Sequence, residues 1–445
     1  MTTIDEATTL TVRADGPPRA TPGAAAMGLG TDGLGAGGLD VARIKSDFPI
    51  LERRVNGHRL VFLDSAASSQ RPRAVTDAMT TFNETTYANV HRGVYTISEE
   101  ATVRYEGARA RIGRWIGAGS SREVVFTKNV TEALNLVAQS WGRTNLRAGD
   151  SVLLTEMEHH ANLVPWLMLK DALGIELRYL RVDDDGLLDL SDLERQVDGV
   201  KLVGVTAVSN VLGTVNPVRR IADAAHAAGA VVVVDGTQLT PHFPSDVREL
   251  GADFYGFTGH KMLGPTGIGV LWGREGLLDA MPPFLGGGDM IRDVRLDGFT
   301  PNELPWKFEA GTPPILEVIG LEAAIDYLEG LGLDAVRAHE RALTAYALRA
   351  LTERYSDDLV IHGPSDPDLR SGVLSFAYKG IHPHDLSQVL DQKGVCVRAG
   401  HHCAKPLMRR LCVGATARAS WYVYNDEADI DALVDTLADA SDLFF

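Results

Sequence analysis

Between residues 123 and 275 the chain alternates apolar, β-branched runs with helix-forming stretches, and that alternation leaves few folds open. Glu123–Thr127, Ser151–Thr155, Ile175–Val182, Lys201–Ser209 and Ala230–Asp235 read as strands. The runs Leu202-Val203-Gly204-Val205 and Val231-Val232-Val233-Val234 have no polar alternation, as strands covered on both faces require. Helices are expected from Thr131 to Trp141, soon after His160, and between Pro217 and Gly229. A further helix should open at the capping box Ser191-Asp192-Leu193-Glu194. A strand–helix–strand series of this kind predicts an α/β fold with a mostly parallel sheet and helices on both faces.

The pattern changes on either side. Val41–Asp47 and Pro72–Tyr87 read as helices and Arg59–Asp64 as a strand. Beyond residue 315, Ile315–Leu328, Leu333–Tyr355, His384–Lys393 and Asp426–Ala440 read as helices, with a strand at Gly372–Tyr378. We therefore expect a large domain at 61–310 and a smaller α+β domain made of 41–60 and 311–445. Residues 1–40 are rich in Gly, Ala, Thr and Pro, which predicts a disordered arm. They have no charged stretch followed by an apolar one, so they do not read as a secretory signal.

Composition narrows the function classes. A net charge of −16 argues against nucleic acid or an anionic membrane as the main partner. No apolar stretch approaches the ~20 residues of a membrane span. The three cysteines, Cys396, Cys403 and Cys412, are too few and odd in number for a disulfide framework. They point to a reducing compartment, and we expect a cytoplasmic protein.

The chemistry centres on Asp253–Gly269, DFYGFTGHKMLGPTGIG. Apolar residues flank a glycine-rich turn that carries Lys261. Desolvation there lowers a lysine's pKa and exposes a neutral amine able to bond a carbonyl carbon. Asp235 ends a buried strand, where ligands bind in parallel sheets. A buried carboxylate needs a positive partner, and a pyridinium nitrogen is one candidate; an Asx-turn into Gly236 is the plainer alternative. His159, at a strand-to-helix turn, can stack on a planar ring, with a metal pair beside His160 as the weaker option. Together these residues suggest pyridoxal phosphate. Gln238 is within reach of the cofactor's phenolic oxygen. Thr131 opens a helix whose free amides suit a phosphate, although ordinary capping by Asn129 or Thr131 explains the pattern equally well. Thr258 and His260 could donate to the same phosphate.

Cys403 lies in the loop Arg398–Pro406, among basic residues that favour a thiolate. Cys396 and Cys412 better fit buried, inert thiols. A zinc site from His401, Cys403 and Cys412 matches no common spacing, and no metal is expected. Arg418, alone among small residues, suits a substrate carboxylate, with a surface ion pair as the alternative.

Seven blocks in order carry a resemblance: YANVHRG (Tyr87–Gly93), TEMEHHANLVPW (Thr155–Trp166), VSNVLG (Val208–Gly213), VDGTQ (Val234–Gln238), GHKMLGPTGIG (Gly259–Gly269), FEAGTP (Phe308–Pro313) and RAGHHCA (Arg398–Ala404). From about residue 41 onward the chain resembles class V aminotransferases of pyridoxal phosphate fold type I, and within them the SufS-like (group II) cysteine desulfurases.

The resemblance implies a homodimeric enzyme that converts L-cysteine to L-alanine and leaves a persulfide on Cys403. A selenocysteine lyase-like enzyme of the same fold is the alternative. It also implies roles. Lys261 would bond the cofactor and move protons, Asp235 would pair with the pyridinium, His159 would stack on the ring, and Gln238 would hold the phenolic oxygen. Thr131, Thr258 and His260 would hold the phosphate, joined by Thr312 from the other subunit. Asn210 and Arg418 would bind the substrate carboxylate, and His91 and Arg92 would line the pocket. The short spacing from Arg398 to Cys403 resembles the group that passes sulfur to a SufE- or SufU-like acceptor for iron–sulfur cluster assembly. Lys405, Thr237 and the first 40 residues depart from the family pattern.

Overall fold

A computed structural model describes residues 38–444 of the protein. The arm expected at 1–40 lies, except for Gly38–Asp40, outside the described residues.

The expected α/β region forms one seven-stranded sheet. In chain order its strands are β1 (Val124–Thr127), β2 (Ser151–Thr155), β3 (Glu176–Leu180), β4 (Val200–Thr206), β5 (Val231–Asp235), β6 (Phe254–Thr258) and β7 (Gly269–Gly273). Their spatial order is β1-β7-β6-β5-β4-β2-β3. All pairings are parallel except the two made by β7.

Because strand side chains alternate, each strand feeds two cores. Val232 and Val234 face a core that also holds Val75, Ile112, Ile319 and Ile325 from three helices. Val233 faces the opposite core, with Leu134, Trp141 and Trp166. All three valines are fully buried, each worth roughly 1.5–3 kcal/mol. The absence of polar alternation in this run is thus explained by two apolar faces rather than one.

The register lines up the carboxyl ends of the parallel strands. Asp235 stands beside Thr206 of β4 and Gly256 of β6. Thr258 pairs with Gly269, which in turn pairs with Thr127. Gly269 is required by a close crossing: a Cβ there would lie 2.4 Å from the carbonyl carbon of Asn129. The helix Val130–Leu136 therefore starts directly against the sheet edge.

A second, four-stranded antiparallel sheet contains Leu359–His362, Val373–Tyr378, Arg398–Gly400 and Thr416–Ser420. It shares a core with the helices Leu333–Tyr355, Pro383–Gln392 and Glu427–Phe444. Val61–Phe62 pairs in parallel with Val395–Cys396, and Asp64 bridges to Ser420.

Some sequence expectations change. The helix that starts near Thr131 is α-helical over Val130–Leu136 and π-helical over Val137–Gly142. The capping box at Ser191 does not form: the Ser191 amide bonds Asp189 Oδ1 instead, and Asp192 is the N-cap with no side-chain bond. The long helix Thr96–Trp115 and the hairpin Ile291–Arg295/Gly298–Pro301 have no counterpart in the sequence reading.

Candidate active site

Lys261 ends a one-turn helix, Gly259–Lys261, that follows β6 directly. The turn is clamped from a distant segment. Ser69 N–H and the hydroxyls of Ser68 and Ser69 donate to His260 O at 2.9, 3.1 and 3.2 Å. The Leu263 amide in turn donates to Ser69 Oγ at 2.8 Å. Lys261 lines a small cavity with Val130, His159, Thr206, Asn210, Asp235 and Gln238. Burial pulls its amine down to about 8; Asp235 opposes that, and the Arg418 charge adds to it.

Asp235 is 3% exposed, and its Oδ1 accepts from Thr237 N at 3.0 Å, so the Asx-turn left open by the sequence is present. Among the described residues no cation lies within ion-pair range of it. Burial raises its pKa, and only the side-chain and backbone hydrogen bonds from Thr237 and the Lys261 charge work against that. A carboxylate in this position calls for a positive partner from a ligand.

His159 Nδ1 accepts from Ala161 N at 3.1 Å, which puts the ring proton on Nε2. Burial, together with the charges of Lys261, His160 and Arg418, holds its pKa down to about 3. The ring is therefore neutral and fit for stacking. Gln238 Nε2 donates to Ala66 O at 2.8 Å and keeps a second N–H, while its Oε1 is buried without a partner.

The expected phosphate ligands are less uniform. Thr131 lies in the first turn of Val130–Leu136, and Asn129 Oδ1 caps that helix through Glu132 N at 3.0 Å. Thr258 donates its hydroxyl to Ile268 O at 3.2 Å, a bond it would exchange to donate to a phosphate. His260 is half-buried, and burial plus the charges of Lys261 and Arg71 lower its pKa to about 4.

Arg418 is 2% exposed, which removes the surface ion pair as its explanation. Its Nη1 donates to Asn210 O at 2.8 Å and its Nη2 to Asp64 Oδ1 at 3.1 Å. Its Nε is buried without a partner. Arg398 stands opposite Arg418 in the register and shares Asp64. Asn210 Nδ2 donates to His402 O at 2.7 Å, which ties this cluster to the cysteine loop. Cys403 is exposed, and a thiolate there would act on both Lys261 and Arg418.

Three expected residues stand apart from this cavity in the chain. His91 bonds Glu106 Oε1 at 2.8 Å and packs against Tyr105 and Trp306. Arg92 pairs with Asp289 at 3.0 Å. Thr312 is exposed and lines a separate cleft of about 350 Å³ with Thr127, Lys128 and Glu132. Cys412, expected to be buried, is exposed at a φ of 56°, and Cys396 is only half-buried. Among the described residues no cluster of three His, Cys, Asp or Glu is placed to hold a metal.

Residues 61–433 match the Aminotransferase class-V family. The chain belongs to the class V aminotransferases. It is 51% identical over 412 residues to a probable cysteine desulfurase of Streptomyces coelicolor, covering 91% of this chain and 98% of that one. A cysteine desulfurase of Haloferax volcanii is 49% identical over 420 residues, with the same coverage. Among solved structures, the apo cysteine desulfurase of Thermococcus onnurineus superposes with a TM-score of 0.86 at 40% identity, covering 91% of this chain and 98% of that one. The cysteine desulfurase CsdA of Escherichia coli gives 0.84 at 38%, covering 92% and 100%.

Class V aminotransferases depend on pyridoxal phosphate. The cavity fits that group on its own chemistry. An unpaired buried carboxylate, a lysine with a lowered pKa, a neutral imidazole and the unpartnered Gln238 oxygen all meet there.

The sequence reading of this class V aminotransferase missed two residues. Asp64 holds both Arg398 and Arg418, and its signal was an aspartate ending an apolar run, as at Asp235. Glu158 is buried and accepts from Thr155 Oγ1, Asn162 Nδ2 and Thr206 N at 2.7, 2.7 and 2.9 Å. Burial pushes its carboxyl up to about 8 against those donors, and the Asp235 charge adds to the rise.

Proposed function

We propose that this chain is a pyridoxal phosphate-dependent L-cysteine desulfurase. L-Cysteine and the Cys403 thiol become L-alanine and a Cys403 persulfide. The observation that carries the reading is the exposed Cys403 on a loop bonded through Asn210 to the buried Arg418, beside the Lys261 cavity. The names of the relatives support it.

In this reading Arg418 and Asn210 orient the substrate carboxylate. Asp235 pairs with the cofactor nitrogen, His159 packs on the ring and Gln238 donates to the phenolic oxygen. Thr131 and His260 face the phosphate, and Thr258 joins them by turning its hydroxyl proton from Ile268 O to the phosphate. Lys261 bonds the cofactor and, once released, holds the proton that moves between substrate carbons. Pyridoxal phosphate, when bound, supplies the electron sink that loosens the substrate's C–S bond. The Cys403 thiolate attacks the substrate sulfur. An S–S bond forms, the C–S pair stays with the carbon fragment, and that fragment takes a proton and leaves as alanine. No external oxidant or reductant is consumed.

The same reading includes a homodimer of two-domain subunits, divided at 61–310 and at 41–60 with 311–445. Large apolar side chains left bare support a second copy: Val94 is 95% exposed, and Tyr95, Ile97, Leu296 and Phe299 are also exposed. In the dimer, Thr312 would reach the partner's phosphate, while His91 and Arg92 would line the substrate pocket. We further propose a cytoplasmic enzyme of the SufS-like group that hands sulfur to a SufE- or SufU-like acceptor for iron–sulfur assembly. Among the described residues no helix is long and apolar enough to cross a membrane.

The test is the visible spectrum of purified protein before and after L-cysteine, with alanine and reductant-released sulfide assayed in the same tube. A yellow band that shifts, with both products formed by wild type and absent in Cys403→Ala, is expected. Product formation by Cys403→Ala would overturn the role of that thiol and favour the selenocysteine lyase-like alternative.

A further inference from the structure

His160 has no role in the reading above, yet it grips the cysteine loop twice. Its backbone N–H donates to Cys403 O at 2.7 Å. Its ring Nε2 accepts from the Lys405 N–H at 3.1 Å. The two bonds bracket Ala404, the residue after Cys403. Lys405 opens the short helix Lys405–Arg410, whose N-cap residue Ala404 offers no side-chain cap. The ring thus fills an acceptor position that the helix leaves open. A ring nitrogen that accepts is unprotonated, so the neutral ring carries its proton on Nδ1.

The loop needs such support. His402 and Cys403 have φ values of 51° and 55°, two consecutive non-glycine residues in the left-handed region. That conformation is unfavourable for both and persists only where the surroundings impose it. Asn210 holds the loop at His402 O. His160 holds it at Cys403 and Lys405. The neighbouring His159 lines the Lys261 cavity, with its ring fixed by the Ala161 amide. One turn therefore fixes both the imidazole beside the cofactor cavity and the backbone that carries the thiol.

We propose that His160 is a positioning residue for Cys403, setting where the thiol stands relative to the Lys261 cavity. The proposal rests on the reading of Cys403 as the sulfur-accepting thiol. His160 does not touch substrate in this scheme. It acts through the loop, so it affects sulfur attack and not cysteine binding at Arg418 or cofactor binding at Asp235 and Lys261.

The experiment compares full-length, cofactor-loaded wild type, His160→Leu, His160→Gln and Cys403→Ala. Leucine removes the acceptor while keeping bulk, and glutamine can restore an oxygen acceptor. Amide hydrogen exchange in peptides spanning Lys405 reports the bond directly. In His160→Leu that exchange should quicken by about tenfold or more. The visible band and KM should stay within about twofold while kcat falls by up to about a hundredfold. His160→Gln should recover much of both losses. Unchanged exchange with unchanged kcat in His160→Leu would overturn the proposal. So would loss of the visible band in both His160 variants, which would make the ring a prop for the fold. Turnover by Cys403→Ala would instead bring down the underlying reading, and is told apart because it does not involve His160.

Discussion

Arg418 donates to the backbone oxygen of Asn210 at 2.8 Å, while the Asn210 side chain donates to the His402 oxygen at 2.7 Å. One asparagine thus connects the arginine that is to hold a substrate carboxylate with the residue before Cys403. Any shift of Asn210 moves the binding group and the thiol loop together.

Asn210→Asp tests this coupling. A carboxylate cannot donate to the His402 carbonyl, and it places two acceptors against each other. The loss of a buried hydrogen bond costs about 1–3 kcal/mol. We expect kcat/KM for cysteine to fall by about tenfold to a hundredfold, with the cofactor absorbance retained. Steady-state kinetics beside a visible spectrum decide it. A loss of absorbance equal to the loss of activity would place Asn210 with the cofactor instead.

The half-buried position of Lys261 in its cavity predicts a pH dependence for cofactor uptake. The free amine is the reactive form, and burial brings its pKa to about 8, well below that of an ordinary lysine. Below that value the free fraction falls about tenfold per pH unit. Uptake of pyridoxal phosphate by apo-protein, followed at its visible band, should accelerate as pH rises toward 8 and then level off. A rate still climbing at pH 10 would show an ordinary, solvated lysine.

Much of this site can be read from residue order because its parts obey strong local rules. Asp235 ends an all-valine run that is buried on both faces, and Lys261 follows a fully buried strand in a glycine-rich turn. Other parts depend on contacts that no local pattern records. The helix Thr96–Trp115 buries Tyr105 and Ile112, but the rest of its buried face is Ser98, Ala101, Ala108, Arg109 and Gly113, too small and polar for an apolar stripe to stand out in the sequence. Asp64 acquires its role only when two arginines, more than three hundred residues on, fold against it. His91 and Arg92 sit in a motif that resembles the family's, but within one chain their partners are Glu106 and Asp289. Cys412 looks like a core residue beside Leu411 and Val413, but a left-handed turn leaves it exposed.

Arg418→Lys separates charge from shape. Lysine keeps the positive charge but loses the planar fork that bonds Asn210 and Asp64 and leaves Nε free. A charge-assisted hydrogen bond is worth about 1.5–3 kcal/mol, which corresponds to about a tenfold to hundredfold change in binding. KM for cysteine should rise by that factor, while cofactor binding and thiol alkylation at Cys403 remain. A rise in KM of less than about twofold would place the substrate carboxylate elsewhere.

The last prediction concerns stability away from the chemistry. Arg109 is fully buried in the helix Thr96–Trp115 and bonds both oxygens of Glu309, at 2.5 and 2.9 Å. It also reaches Glu106 and the carbonyl of Val124 in β1. Glu309 Oε1 further accepts from Phe126 N of the same strand. The pair therefore fixes the edge strand, the helix and the loop leading to Thr312. Replacing Arg109 with Met would keep the packing against Tyr105 and Phe126 but strand Glu309 as a buried, unpaired charge. Breaking one side of a buried pair costs about 3–5 kcal/mol. Urea unfolding of apo-protein should show that loss as a lower midpoint. The double variant Arg109→Met/Glu309→Gln should recover part of it, because the stranded charge is then gone. If the double variant were no more stable than Arg109→Met, the cost would lie in lost packing rather than in the charge left on Glu309.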